Sequence, residues 1–251
     1  MLIDEGTIKY RCHWLPGEPP PRKFLADLMA VRDRLYDLGL IGVYDCGIGF
    51  GNISVRLENS DRFIVSGTQT GHLPHLEPQH YTVVTDFSLE HNQLTCCGPV
   101  KASSESLTHA SIYIRQPEVR GIIHIHNKPL WQQLLNRVPT TRREVPYGTP
   151  EMAREMFRLF EEEELGNRKI LVMAGHEDGA IAFGKDLGEA EAVLMKYYQA
   201  IEGQRLQAET TSTPLKCESR RAPVAVAGFP RLNPVRGTGD YRDCRDSQPD
   251  R

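Results

Sequence analysis

Apolar residues recur at helical spacing in five segments of the chain. The first of these, FLADLMAVRDRLYDLGL, begins at Phe24 and contains, next to its last residue, Gly39, which is typical of helix C-termini. The other four segments are SESLTHASIYIRQ, NKPLWQQLLNR, GTPEMAREMFRLFEEEE and DLGEAEAVLMKYYQAIEGQRL. In the second segment Ser103 or Ser104 is expected to cap the helix, and Pro117 is expected to end it.

Shorter apolar or alternating runs lie between these helices and predict β-strands. They read NISVRL, RFIVS, YTVVTDF, HNQLTCCG, GIIHIH, RKILVMAG and GAIAFG. We therefore predict one mixed α/β domain over residues 24–203. Residues 1–23 end in the proline cluster GEPPPRK and are expected to form an N-terminal extension. Residues 204–251 lack sustained periodicity, and we expect a flexible C-terminal tail.

Charge and composition exclude several classes of partner. The net charge of −3 gives no reason to expect nucleic acid or an anionic membrane. No apolar run approaches the ~20 residues of a membrane span. The N-terminus, MLIDEGTIKY, lacks the apolar stretch of a signal peptide, and the six cysteines form no CxxC pair. We expect a cytoplasmic protein with free thiols.

Three histidines form a candidate metal site. His124 and His126 are two residues apart on a predicted strand, so their side chains lie on the same face. His176 follows an apolar strand, between glycines 175 and 179. Three imidazoles that leave one coordination position open are typical of a catalytic zinc site, although Mn²⁺, Fe²⁺ and Co²⁺ also accept imidazole. The HxH pair by itself fits a hydrogen-bonded pair of core histidines equally well.

Glu105 lies in the first turn of a predicted helix. Its carboxylate can bind a metal or transfer a proton, or it can simply interact with the helix dipole. His109, four residues on, shares its helix face and is expected to fill the core or to support a ligand. Three turns rich in amide and hydroxyl donors also suggest a cup for a phosphate or a carboxylate. They are Gly51–Asn52, Thr70–Gly71 and Ser103–Ser104.

Several of these motifs occur in one order that resembles a known family. The segments GFGNISVR, SGTQTG, KASSES and GIIHIHN, with a late glycine-flanked histidine, follow the pattern of the class II aldolase/adducin head-domain family. The chain looks most like its L-fuculose-1-phosphate aldolase branch. The resemblance implies a three-layer α/β/α fold with a central, mostly antiparallel sheet. It also implies a homotetramer with sites between subunits.

The resemblance assigns a role to each matching residue. The implied metal ligands are His124, His126 and His176, and the implied acid/base is Glu105. The implied phosphate-binding residues are Asn52, Thr70, Gly71, Ser103 and Ser104. Tyr147 is the candidate for a tyrosine that reaches the aldehyde oxygen from a neighbouring subunit. Glutamate at position 105 leans away from the related epimerases, which carry aspartate, and the intact ligand set argues against the adducins.

The reaction implied is cleavage of a ketose phosphate, through a metal-stabilised enediolate, to dihydroxyacetone phosphate and an aldehyde. Two alternatives stay open: a ketose-phosphate dehydratase of the methylthioribulose 1-phosphate type, and a non-catalytic, adducin-like interaction module. Three features depart from the family pattern and bear on the substrate. They are the loop Gly175–Gly179, the longer turn SGTQTG followed by His72, and the two terminal segments, the GEPPPRK extension and the basic C-terminal tail.

Overall fold

The computed structural model describes residues 6–58 and 60–212 of the chain, with side chains to Gln204. Ten strands are found in this part: β1 (Arg11–Pro16), β2 (Gly42–Val43), β3 (Gly49–Phe50), β4 (Asn52–Arg56), β5 (Phe63–Ser66), β6 (Tyr81–Ser88), β7 (Gln93–Gly98), β8 (Gly121–His126), β9 (Ile170–Val172) and β10 (Gly179–Gly184). The helices are α1 (Ala26–Asp37), α2 (Ser106–Arg115), α3 (Lys128–Leu134), α4 (Pro150–Glu162), α5 (Leu165–Arg168) and α6 (Leu187–Ser212).

Eight of the strands form one sheet in the order β1-β7-β6-β5-β4-β8-β10-β9, and β2 pairs with β3 in a small second sheet. Every pairing is antiparallel except that of β1 with β7. Strand β8 lies between β4 and β10, in the interior of the large sheet, and all six of its residues are buried. A strand covered on both faces reads as a continuous apolar run, which explains the sequence GIIHIH.

Two hydrophobic cores lie on opposite faces of the large sheet. The first contains residues of α2 and α4 with Ile122 and Ile181, and the second contains residues of α1, α3 and α6 with Ile123 and Ile125. Each fully buried isoleucine stabilises the fold by about 1.5–3 kcal/mol relative to an exposed one. The helices therefore form a layer on each side of the sheet. This confirms the predicted three-layer α/β/α fold with a mostly antiparallel sheet.

Successive side chains of a β-strand point to opposite faces of the sheet, and this alternation determines which core the histidines face. His124 and His126 share the face of Ile122, whereas Ile123 and Ile125 face the other core. A shift of the pairing by one residue would move both histidines into an apolar core and both isoleucines out of theirs. The register of β8 is therefore strongly specified.

The predicted helix start at Ser103 or Ser104 is wrong. Helix α2 begins at Ser106, and its N-cap residue is Glu105, whose side chain makes no capping bond. The carbonyl of Ser103 accepts hydrogen bonds from the backbone N–H and the hydroxyl of Ser106, at 3.0 and 2.7 Å. This separate turn leaves both serines in the loop before the helix.

Two differences concern the ends of the predicted domain. Residues Arg11–Pro16, expected in an extension, form an edge strand that pairs in parallel with β7. Helix α6 continues to Ser212, beyond the predicted boundary at residue 203. Residues 213–251, which make up most of the predicted tail, lie outside the described residues. None of the helices in the described part of the chain is both long and apolar enough to cross a membrane.

Candidate active site

The structure brings His124, His126 and His176 together, with one ring nitrogen of each lying within 4.8 Å of the others. The first two project from the end of β8. His176 lies in the tight turn before β10, where its N–H donates to the carbonyl of Met173 at 3.1 Å. The same turn closes when the N–H of Gly179 donates to the carbonyl of His176 at 3.0 Å. All three imidazoles are buried.

Burial also determines the charge of these rings. It lowers the pKa of His124 to about 3, because the charged imidazolium is poorly solvated there. Burial lowers the pKa of His126 and of His176 as well, and the neighbouring histidines add to the effect. All three rings are therefore neutral at pH 7 and can each offer a nitrogen lone pair to a cation.

In His124 and His126 the Nδ1 atom lies close to a polar side chain. The hydroxyl of Tyr44 lies 2.8 Å from Nδ1 of His126, and Nδ2 of Asn52 lies 3.1 Å from Nδ1 of His124. Oδ1 of Asn52 is buried and has no hydrogen-bond partner among the described residues. Turning this amide over lets Oδ1 accept a hydrogen bond from the N–H at Nδ1 of His124. That tautomer leaves Nε2 of His124 as the lone-pair atom.

The residues present fit a bound divalent metal ion. Nε2 of His124 and Oε1 of Glu105 are buried, and within the described structure neither has a hydrogen-bond partner. Gly179 keeps the space between the rings open, because a Cβ there would lie 2.7 Å from Cδ2 of His176 and 3.3 Å from Nε2 of His124. Buried polar atoms without partners are costly unless a ligand satisfies them. The three histidines therefore form a group that can hold a metal ion.

Glu105 lies beside this group. Its Oε1 is 3.8 Å from Nε2 of His176, and its Oε2 accepts a hydrogen bond of 2.8 Å from the hydroxyl of Thr108. Burial raises the pKa of Glu105 to about 7. Because burial keeps His176 neutral, the contact between them is not an ion pair. A carboxyl group in this setting can change its protonation state near neutral pH.

Tyr147 lies at the site of its own chain. Its ring centroid is 4.5 Å from that of His176, and only 3% of the residue is exposed. Its hydroxyl accepts from the N–H of Thr7 at 3.3 Å and lies 3.4 Å from the carbonyl oxygen of the same residue. The role of Tyr147 toward a neighbouring subunit stays a prediction.

The three donor-rich turns line one cavity. Its walls are Gly6, Gly49, Gly51, Asn52, Gly67, Thr68, Gln69, Thr70, Gly71, Ser103 and Ser104. We call this cavity the cup. Gly71 is required by space, because a Cβ there would overlap the carbonyl oxygen of Gly42. The cup thus contains every residue expected to bind phosphate.

Several residues of the site were not predicted. Thr68 and Gln69 lie in the predicted SGTQTG turn, and the left-handed φ of +58° at Gln69 shapes that turn. Tyr44 follows β2 and carries no signal in the sequence. Gly6 belongs to the predicted extension.

The two other histidines considered from the sequence do not join the metal-binding group. His109 is buried in the core, where its Nδ1 lies 2.8 Å from the hydroxyl of Ser54. His72 is exposed, and its Nδ1 lies 3.0 Å from the carbonyl oxygen of Gln69.

Comparisons with known proteins agree with this architecture. A curated relative, 3-oxo-tetronate 4-phosphate decarboxylase from Haemophilus influenzae, is 28% identical over 203 residues, which cover 68% of this chain and 87% of the relative. The sugar-phosphate aldolase of Thermotoga maritima has the same fold, with a TM-score of 0.58 and 18% identity over 76% of this chain and 97% of that one. L-fuculose-1-phosphate aldolase of Thermus thermophilus gives a TM-score of 0.50 and 23% identity over 75% and 97% of the two chains.

The family model named Class II Aldolase and Adducin N-terminal domain matches residues 27–204, well over half of the chain. This match covers the candidate metal ligands, Glu105 and every wall of the cup except Gly6. The chain therefore belongs to the class II aldolase and adducin N-terminal domain family.

Proposed function

We propose that this protein is a metal-dependent lyase that cleaves a carbon–carbon bond of a phosphorylated sugar. The leading form of the proposal is an aldolase that releases dihydroxyacetone phosphate and an aldehyde from a ketose phosphate. One observation carries it: Oε1 of the buried Glu105 lies 3.8 Å from Nε2 of His176, one of the three clustered histidines. Among the described residues this oxygen has no hydrogen-bond partner.

The histidines and the cup would have separate roles. His124, His126 and His176 would hold Zn²⁺ or another divalent transition metal, which supplies Lewis-acid stabilisation of negative charge on a substrate oxygen. The cup would hold the phosphate through backbone N–H groups and the hydroxyls of Ser103 and Ser104.

Glu105 would move the proton at the reacting carbon. As the bond breaks, the hydroxyl that becomes the aldehyde loses its proton, and Tyr147 is the candidate group at that oxygen. The electron pair of the bond stays on the carbon next to the carbonyl group, and a protonated Glu105 can donate to that carbon. The pKa of about 7 supports this role, because both protonation states are accessible at neutral pH. Burial also excludes water, which would otherwise compete as a proton source.

Decarboxylation of a sugar-acid phosphate is the second candidate. The relative from Haemophilus influenzae is named as a decarboxylase of such a compound. Loss of CO₂ also leaves an electron pair next to a carbonyl group, so the same carboxyl group can protonate the same position. A dehydratase remains an alternative. A non-catalytic module would have no use for the partnerless buried oxygen of Glu105.

The assembly and location are also proposals. We infer a homotetramer and a cytoplasmic protein, whose catalytic domain comprises residues 24–203 together with strand β1 before them and the end of helix α6 after them. The solution mass of the purified protein tests the first of these statements.

Product analysis tests the function. Zinc-loaded protein is incubated with ketose 1-phosphates and with phosphorylated sugar acids, and metal content is measured in parallel. We expect one metal ion per chain. Dihydroxyacetone phosphate identifies an aldolase, CO₂ a decarboxylase, and a dehydrated ketone a dehydratase. Stoichiometric metal without turnover of any phosphorylated sugar would contradict the proposal, and failure to retain metal would contradict the site itself.

A further inference from the structure

The segment Gly6–Tyr10 precedes the family match, which begins at residue 27, yet it lies against the candidate active site. Gly6 is one wall of the cup. Thr7 exchanges hydrogen bonds with the hydroxyl of Tyr147. Lys9 places its Nζ 3.7 Å from the centroid of the Tyr147 ring, and that ring packs on His176. The segment therefore contacts both the cup and the metal-binding group.

This segment is anchored on both sides of Lys9. The hydroxyl of Tyr10 is shared between the carbonyl oxygens of Ala102 and Ser103, at 3.1 and 2.9 Å, directly beside the cup. The side-chain amide of Asn92 donates to the carbonyl of Lys9 at 3.0 Å. Strand β1 then continues along β7. A backbone held at these points presents the Lys9 side chain in a defined direction.

The ammonium group of Lys9 is a positive charge near the metal-binding histidines. Burial dominates the pKa of Glu105 and of His176, and the charge of Lys9 adds a smaller effect on both, favouring the carboxylate and the neutral imidazole. A cation resting on an aromatic face is also attracted by the ring. Lys9 thus adds a positive charge beside the metal-binding group, next to the cup.

We propose that Gly6–Tyr10 is a built part of the active site and that Lys9 selects substrates that carry a carboxylate in addition to the phosphate. The proposal rests on the proposed function, because it takes the cup as the phosphate site. Its substrate class is a phosphorylated sugar acid, which favours the second candidate reaction, decarboxylation, over the aldolase. An ammonium group pairs with a carboxylate through a charge-assisted hydrogen bond, which a neutral hydroxyl at the same carbon does not provide. A purely structural Lys9, packed on Tyr147, would treat acid and neutral ligands alike.

Measurements of ligand binding distinguish a Lys9 that selects acids from a Lys9 that is purely structural. Zinc-loaded, full-length protein is titrated by calorimetry with 3-phosphoglycerate, which has a phosphate and a carboxylate, and with glycerol 3-phosphate, which has the phosphate alone. The variants are Lys9→Met, Lys9→Gln and Lys9→Arg. Lys23→Met is the matched control, because Lys23 also rests on an aromatic ring, that of Phe24, but borders a different groove with Arg120 and Lys185.

We expect the wild-type protein to bind 3-phosphoglycerate more tightly than glycerol 3-phosphate. Lys9→Met and Lys9→Gln should weaken binding of the acid at least about 10-fold, the effect of losing one hydrogen bond to a charged group. Binding of glycerol 3-phosphate should change less than about 2-fold, which also shows that the variants fold and keep their cup. Lys9→Arg should restore most of the preference, and Lys23→Met should leave it intact.

Two results would overturn the inference. One is a wild-type protein that binds 3-phosphoglycerate no more tightly than glycerol 3-phosphate, including the case in which neither binds. The other is an equal loss for both ligands in Lys9→Met and Lys9→Gln. Because these are binding measurements, they do not depend on turnover. The protein could fail the lyase assay and still bind 3-phosphoglycerate more tightly than glycerol 3-phosphate because of Lys9. That result would contradict the proposed reaction but not the inference that Lys9 selects acids.

Discussion

The hydroxyl of Tyr44 lies 2.8 Å from Nδ1 of His126, although the two residues are 82 positions apart in the chain. Tyr44 also packs on Phe50, with ring centroids 4.6 Å apart, and the Phe50 ring lies 5.6 Å from that of His126. If the hydroxyl accepts a hydrogen bond from the N–H at Nδ1, Nε2 keeps its lone pair and the ring is fixed in orientation. Tyr44 would thus orient a candidate metal ligand through the ring nitrogen that faces away from the other histidines.

Tyr44→Phe should therefore weaken metal binding without unfolding the protein. Loss of such an outer partner typically lowers metal affinity by about 10- to 100-fold. The measurement is a competition titration of zinc against a chelator of known affinity. Tyr36→Phe, on helix α1, is the control and should bind zinc normally. His126→Ala should lose bound zinc altogether, and unchanged affinity in Tyr44→Phe would contradict a role for the hydroxyl.

Glu105→Gln should separate metal binding from chemistry. The amide keeps the size of the side chain and can still accept from Thr108, but it cannot transfer a proton. Turnover should fall by at least about 100-fold, while zinc content stays at the wild-type level. Glu161→Gln is the matched control, because Glu161 forms an exposed pair with Arg115. Wild-type turnover in Glu105→Gln would remove it from the mechanism.

Gly71→Ala should damage the cup. A Cβ at this position would overlap the carbonyl oxygen of Gly42 and lie 2.9 Å from Cα of Gly49, so the backbone must move. We expect binding of glycerol 3-phosphate to weaken by at least about 10-fold, together with a lower free energy of unfolding. Calorimetry and urea denaturation measure the two effects.

Gly203→Ala is the control for that substitution. Gly203 lies inside helix α6, and an added Cβ there would meet no atom within 4 Å. Because alanine favours a helix more than glycine does, this variant should be more stable by about 0.5–1 kcal/mol and should bind glycerol 3-phosphate normally. Equal behaviour of the two variants would rule out a steric requirement for Gly71.

His109 should contribute to acid sensitivity. Burial lowers its pKa to about 3, whereas an unfolded histidine has a pKa near 6.5. Between these values the unfolded state binds a proton that the folded state does not, so the contribution is fully present above about pH 6.5 and is lost as the pH falls toward 3.

The comparison of metal-free wild type with His109→Gln isolates this contribution, because the other buried histidines titrate in both proteins. Between pH 7 and pH 5 the free energy of unfolding should fall in both proteins. The fall should be about 2 kcal/mol smaller in His109→Gln than in the wild type. Urea denaturation at several pH values measures it. A parallel pH dependence in the two proteins would show that His109 is not buried in its neutral form.

Local patterns predicted much of the fold. The strand GIIHIH and the helical spacing after Phe24 are each determined by neighbouring residues, and the structure contains both elements. The start of α2 was predicted wrongly, because Ser103 and Ser106 form their own turn. Strand β1 was not predicted because it is short, only Cys12 and Trp14 are partly buried, and the proline cluster GEPPPRK follows it directly.

The sequence by itself determined the family, the layered fold and the spacing that turns His124 and His126 to one face, because side-chain periodicity is a local property of the backbone. The tertiary structure decided which distant residues meet. The register of β8 against β4 brings Asn52 to His124, the turn before β10 brings His176 to the pair, and the pairing of β1 with β7 places Lys9 over Tyr147. Such contacts depend on sheet register and packing, which no short stretch of sequence encodes.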